Sequence, residues 1–180
     1  MWLWPGDPIP FKVSFRTVSA GFIGALPLIA CLFLLIAPPL KRMQQIQKLF
    51  SALYDVAGSF FASLKWYHMV LVSCAAGIGE EALFRGVLQP RLGIVATSIL
   101  FGLLHPLTAF YILFAALFSA YLGWLFTFEN NIVIPVAAHA AYDFVALLIM
   151  RHHMKSRAAA LSAGKRGTSH RRCHDGRRLG

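Results

Sequence analysis

Glu80, Glu81 and Arg85 lie within six residues of one another in the stretch GIGEEALFRG, residues 77–86, inside an otherwise apolar run. The whole chain of 180 residues holds only seven acidic side chains, and two of them stand here side by side. A charged group at the centre of a membrane helix costs about 2.5–3.5 kcal/mol on insertion scales, so three of them together mark a site. The chemistry on offer is proton transfer by a carboxylate, with an arginine to hold a second carboxylate in place. Residues four apart share a helix face, and each step turns the helix by about 100°. Glu81 and Arg85 can therefore pair. Glu80 points to another side and is free to face a cavity, which makes it the reactive carboxylate and its neighbours its support.

Three more ionisable groups recur in later apolar runs: His105, directly before Pro106, and His139 with Asp143 four residues on. With a membrane boundary at residue 66, Glu80 lies roughly 21 Å deep at 1.5 Å per residue. A last span entering from the opposite face at residue 132 puts His139 about 20 Å from that same boundary, across a core about 30 Å thick. The two are level. His105 falls roughly one to two turns shallower, within reach if its short helix tilts. Glu80, His105 and His139 can thus converge from three helices on one buried polar cavity.

The elements that would carry them are membrane helices. Hydrophobic residues make up 58% of the chain and charged residues 13%, about half the usual share in soluble domains. The sequence predicts an all-α polytopic bundle of about five transmembrane helices plus one interfacial amphipathic helix. Residues 1–17, with Trp2, Trp4, Lys12 and Arg16, form an interfacial lead-in. The run from Val18 to Ala37 is too long for a signal-peptide core of about 7–15 residues and reads as the first span, stopped by Pro38 and Pro39. In residues 41–64 apolar side chains recur at helical spacing among charged ones, giving a helix that lies in the interface or packs on the bundle as a connector. Together these make a segment of residues 18–64.

A membrane core of residues 65–150 follows. Its spans are Trp66 to Leu88, ending before Pro90; a short segment from Leu92 to His105; Leu107 to Phe128; and Ile132 to Met150. Gly77 and Gly79 would let a neighbouring helix approach. The Leu107–Phe128 span has no ionisable group and reads as scaffold. Residues 151–180 are predicted to be a basic, disordered tail.

The net charge of +10 is a tail property. Nine of the seventeen Lys and Arg follow residue 150, and Asp175 is the only acid there. A basic segment next to a membrane helix suggests a cytoplasmic anchor on anionic lipid, not nucleic-acid binding. The Lys and Arg bias puts the tail and the 38–65 connector in the cytoplasm, with Lys12 and Arg16 on the opposing side. Cys31, Cys74 and Cys173 have no metal spacing and imply no disulfide framework. His68 reads as an interfacial anchor, and the tail histidines as solvated.

Three motifs in order carry a resemblance. Glu80-Glu81-Ala82-Leu83-Phe84-Arg85 fits EExxxR, Phe101 to His105 fits FxxxH, and His139 to Asp143 fits Hxxx(N/D). Over about residues 66–150 the chain resembles the CPBP family of intramembrane glutamic proteases. That family includes the type II CAAX prenyl proteases and the bacterial Abi, or self-immunity, proteins. The resemblance implies hydrolysis of a peptide bond in a membrane-associated protein or peptide, without a cofactor. It assigns Glu80 as the base that activates water, helped by His105. His139 and Asp143 would serve the oxyanion, and Glu81, Arg85 and Phe101 would support the site.

Asp143 departs from the asparagine of the best-characterised pattern, and an ionised carboxylate cannot donate to an oxyanion. Either it is protonated or, as its spacing favours, it orients the His139 imidazole. A zinc-dependent version of the same protease would use Glu80, His105 and His139 as ligands. Outside catalysis, the same polar cluster could serve a membrane immunity or scaffold protein that binds a partner, or an ion pathway. The expected setting is a prokaryotic plasma membrane.

Overall fold

A computed structural model describes residues 9–175, apart from the side chains at 57, 59, 61 and 62 and from 158 onward. Trp2 and Trp4 of the lead-in and Arg177 and Arg178 of the tail lie outside the described residues. Every regular element among the described residues is helical: α1 (Phe15–Ile36), α2 (Pro38–Lys41), α3 (Gln44–Ser63), α4 (Trp66–Glu81), a π-helical stretch (Ala82–Leu88), α5 (Gln89–Leu103), α6 (Ala109–Glu129) and α7 (Val133–Asp175). Four helical runs are long and apolar enough to cross a membrane: Phe15–Ile36, Trp66–Leu103, Ala109–Glu129 and Val133–Arg157.

The count differs from the expected five because the second and third segments are one run that doubles back. Gly93 has φ 77° and ψ 170°, a conformation essentially restricted to glycine. On a straight helix Phe84 and Phe101 would stand about 25 Å apart. Their ring centroids are 4.8 Å apart, so the chain folds back on itself between them. Pro90, expected to end the preceding span, instead sits in the first turn of α5, where its missing N–H costs nothing. The reversal is left to Gly93, and the limb after it ends at Leu103, too short to cross a bilayer.

Helix α7 is the central strut, with α1 and α4 against it. A Cβ on Gly21 would stand 2.5 Å from the Ala137 Cβ, and one on Gly77 would stand 3.0 Å from the Val136 carbonyl oxygen. Both glycines let backbones approach where a side chain would hold them apart. Gly79, expected to do the same, faces open space: nothing lies within 4 Å of a Cβ there. Helix α5 packs on α6, where a Cβ at Gly102 would meet the Ile112 carbonyl oxygen at 2.5 Å.

At the start of α1, Ser14 accepts a hydrogen bond from the Thr17 N–H. The lead-in is tied to the α6–α7 turn, where Asn131 donates to the Lys12 carbonyl at 2.9 Å and Ile132 N–H to the Pro10 carbonyl at 3.0 Å. At the other end of the bundle, α3 buries Ile46 and Leu49 and packs against α7, with Phe50 beside His153 and the Arg157 guanidinium over the Tyr54 ring at 3.9 Å. Helix α3 therefore packs on the bundle. The backbone of α7 also continues through Asp175, where the sequence predicts disorder from residue 151. Extending an existing helix avoids the cost of nucleation, and the Ala, Leu, Lys and Arg residues beyond Met150 are good helix formers.

The burial pattern reads inside out. Glu81, Arg85, Ser73, Thr97, Ser119 and His139 are buried, while Phe22, Ile23, Leu34, Ile78, Leu117 and Trp124 are exposed. Such a surface suits a hydrocarbon solvent, which accepts apolar side chains and drives polar groups to seek partners inside. Gly93→Ala is expected to destabilise the protein by about 1–3 kcal/mol, since alanine is strained at that φ. Thermal unfolding in detergent should show a lower midpoint for Gly93→Ala and an unchanged one for Gly79→Ala. Equal midpoints would contradict the Gly93 reversal.

Candidate active site

Three separate segments of the fold bring the predicted residues to one place. Glu80 and Glu81 end α4, at the junction with the π-helical stretch that carries Arg85. A π-helical insertion re-aims side chains locally and often marks a functional position. His105 follows the short limb of α5, and His139 and Asp143 lie on one face of α7.

The innermost layer is a buried chain of charges. Glu81 and Arg85 are both fully buried, and Glu81 Oε2 lies 2.9 Å from Arg85 Nε. The other carboxylate oxygen, Oε1, lies 2.8 Å from His139 Nδ1. A carboxylate can only accept, so Nδ1 carries the proton and the imidazole is oriented from behind by Glu81. Asp143, expected to orient the ring, lies 3.5 Å from the other nitrogen, Nε2. Arg85 completes the layer by donating to the Ser119 carbonyl at 2.6 Å and to its Oγ at 3.2 Å. One helix turn on, Gln89 donates to the Gly123 carbonyl and to Thr127 Oγ1, both at 3.1 Å.

The outer layer is a cavity of about 160 Å³ whose wall includes Glu80, His105, His139 and Asp143. At about 30 Å³ per water it has room for roughly five waters, or a peptide group and one water. Glu80 and Asp143 are partly accessible, with 34% and 27% of their side-chain surface exposed, unlike the sealed Glu81. Glu80 Oε2 lies 3.9 Å from His139 Nε2 and hydrogen bonds to no described residue. The His105 Nδ1 is 2.7 Å from the Phe101 carbonyl oxygen. That carbonyl can only accept, so in the neutral ring Nε2 is the acceptor left for the cavity. Phe101, buried at the centre, stacks on His105 at 4.4 Å and lies 5.9 Å below the Arg85 guanidinium.

Glu80, His105, His139 and Asp143 therefore line one cavity together with Phe101, and Glu81 and Arg85 are sealed behind it. Among the described residues no group of three His, Cys, Asp or Glu side chains is arranged to hold a metal. The alternative set Glu80, His105 and His139 does not form such a group. Cys31 and Cys74 are free and exposed.

Sequence reasoning missed what α6 contributes. That helix, expected to be scaffold, supplies Ser119 to Arg85 and places Tyr111, Phe114 and Phe118 in the cavity wall. The signal was present: Ser119, Gly123 and Thr127 recur at four-residue spacing, in phase with Arg85 and Gln89. Tyr142, between His139 and Asp143, also lines the cavity, and nothing in its spacing distinguishes it from an apolar helix residue.

Removing one partner of a buried ion pair strands the other charge, at about 3–5 kcal/mol. Glu81→Ala and Arg85→Ala should each lower the yield of folded protein in membranes and its thermal midpoint in detergent. Midpoints unchanged in both variants would remove the support role.

Residues 61–145 match the family described as type II CAAX prenyl endopeptidase Rce1-like. The uncharacterized protein YpbD of Bacillus subtilis (strain 168) is 32% identical over 102 residues, covering 53% of this chain and 53% of that protein. The chain thus spans about half the length of the curated relative it matches. No solved structure matches. The matched segment contains Glu80, Glu81, Arg85, Phe101, His105, His139 and Asp143. The membrane core, residues 61–145, is therefore similar to the Rce1-like family of type II CAAX prenyl endopeptidases.

Proposed function

We propose that the protein is an intramembrane endopeptidase that hydrolyses a peptide bond in a membrane-associated protein or peptide. The observation that carries this reading is the cavity that Glu80, His105, His139 and Asp143 line together, inside helices of membrane-spanning length. The family's description as endopeptidases supports the same reaction.

The chemistry follows from the acceptors and donors on the wall. Glu80, with an oxygen that hydrogen bonds to no described residue, takes a proton from water as the water oxygen attacks the scissile carbonyl carbon. His105, held by its bond to the Phe101 carbonyl, presents Nε2 to the same water and can carry the proton to the leaving amine. His139, oriented through Nδ1 by Glu81, turns Nε2 toward the developing oxyanion, to which it donates in the doubly protonated ring, with Asp143 beside it. Donors set in place before reaction in a water-poor cavity stabilise charge more than they would in bulk water.

Substrate access is supported by an apolar groove of about 240 Å³ that shares Tyr111, Phe114, Tyr142 and Asp143 with the cavity. Leu32 and Leu35 of α1, Leu49 and Leu53 of α3 and Leu147 of α7 wall it further on. A segment with apolar side chains beside the scissile bond would bury them there. This fits a membrane-associated substrate.

The proteolysis reading is checked without assuming a substrate. Cells making wild type or Glu80→Ala at matched levels are compared by N-terminal peptide labelling of membrane proteins. Product termini present with wild type and missing with Glu80→Ala are the expected result, and they name the substrate. Identical profiles would favour a non-catalytic, partner-binding protein.

A further inference from the structure

The oxyanion side of the cavity is short of donors. An ionised Asp143 accepts hydrogen bonds and gives none. Of the ten residues that line the cavity, only His105, His139, Tyr111 and Tyr142 carry a side-chain N–H or O–H. His105 donates its Nδ1 proton to the Phe101 carbonyl, which leaves its other nitrogen as an acceptor in the neutral ring. A proton on His139 Nε2 would be shared with the carboxylates 3.5 and 3.9 Å away. The two tyrosine hydroxyls hydrogen bond to no described residue.

The tyrosines are not equivalent. Tyr111 lies within electrostatic reach of both Asp143 and Glu80. Tyr142 interacts with Asp143, with Tyr111 and, on the α1 side, with Cys31. Tyr111 is also well held. It sits in the first turn of α6, where its backbone N–H donates to the Thr108 side chain at 3.1 Å. Its ring stands edge-on to His105 at 6.3 Å and beside Phe114 at 6.4 Å.

We infer that Tyr111 is a further catalytic residue, whose hydroxyl donates the hydrogen bond to the oxyanion that Asp143 in its ionised form cannot donate. This rests on the proposed hydrolysis. As the water oxygen bonds to the carbonyl carbon, the water proton passes to Glu80 and the C=O pair moves onto oxygen, where Tyr111 meets it. Collapse reforms the carbonyl, breaks the C–N bond and sends the proton to the departing amine.

The test uses the full chain in detergent micelles and, as probe, a quenched-fluorescent peptide spanning a Glu80-dependent cleavage site found by terminal labelling. Loss of one oxyanion donor lowers kcat by about 100-fold or more, with KM little changed. Tyr111→Phe keeps the ring and is expected to show that loss at an unaltered thermal midpoint, whereas Tyr142→Phe should lose far less. In the double variant Tyr111→Phe, Asp143→Asn, the carboxamide supplies a donor and should recover at least about tenfold of the lost rate. A kcat for Tyr111→Phe within about threefold of wild type, a larger loss from Tyr142→Phe, or no recovery in the double variant would overturn the assignment while leaving the hydrolysis intact. No cleavage by the wild type, or equal cleavage by Glu80→Gln, would instead remove the hydrolysis reading and this inference with it.

Discussion

The buried contact between Glu81 and Arg85 is the constraint from which the rest of the site hangs. Two full charges with no exposed surface survive in a membrane-spanning bundle only when each has a counter-charge and its hydrogen-bonding needs are at least partly met. Meeting them draws in two other helices. Arg85 reaches across to the Ser119 carbonyl on α6, and Glu81 uses its second oxygen to hold His139 on α7. One ion pair thereby sets the spacing of three segments. It also aims one imidazole nitrogen at the cavity, since the other is already engaged.

Adjacent glutamates end up in opposite environments for the same geometric reason. Glu81, in phase with Arg85, is sealed inside the bundle, while Glu80, about 100° round the helix, opens onto the cavity. The apolar exterior and polar interior belong to the same logic, because lipid offers no hydrogen bonds and every polar group must find a partner within the fold or line a wet cavity. Phe101 fills the space between the layers. It stacks on His105 and shields the guanidinium, so the wet cavity and the dry ion pair remain separate.

Much of this was legible in the amino-acid sequence. Rare ionisable groups in apolar runs pointed to Glu80, His105, His139 and Asp143, and rise per residue alone put Glu80 level with His139. The four-residue spacing of Glu81 and Arg85 foretold their pairing. Other features were hidden because they depend on tertiary contacts. Pro90 looked like the chain breaker, but proline is harmless in a first turn, and only the backbone angles reveal that Gly93 turns the chain. The role of α6 escaped notice because a serine and a tyrosine among aromatics carry no charge to mark them. Which nitrogen of His139 faces which carboxylate is likewise a question of side-chain placement: Glu81 lies at Nδ1 and Asp143 beside Nε2.

The central claim is that this bundle folds without Glu80 but cannot hydrolyse a peptide bond without it. The most direct measurement reconstitutes wild type and Glu80→Gln in liposomes made with water enriched in oxygen-18, supplies a cleavable peptide, and reads the products by mass spectrometry. Thermal unfolding is followed on the same preparations. The account predicts equal unfolding midpoints, with a labelled oxygen in the new C-terminal carboxylate for wild type and no product for Glu80→Gln. Labelled product in equal amount from both proteins would contradict it.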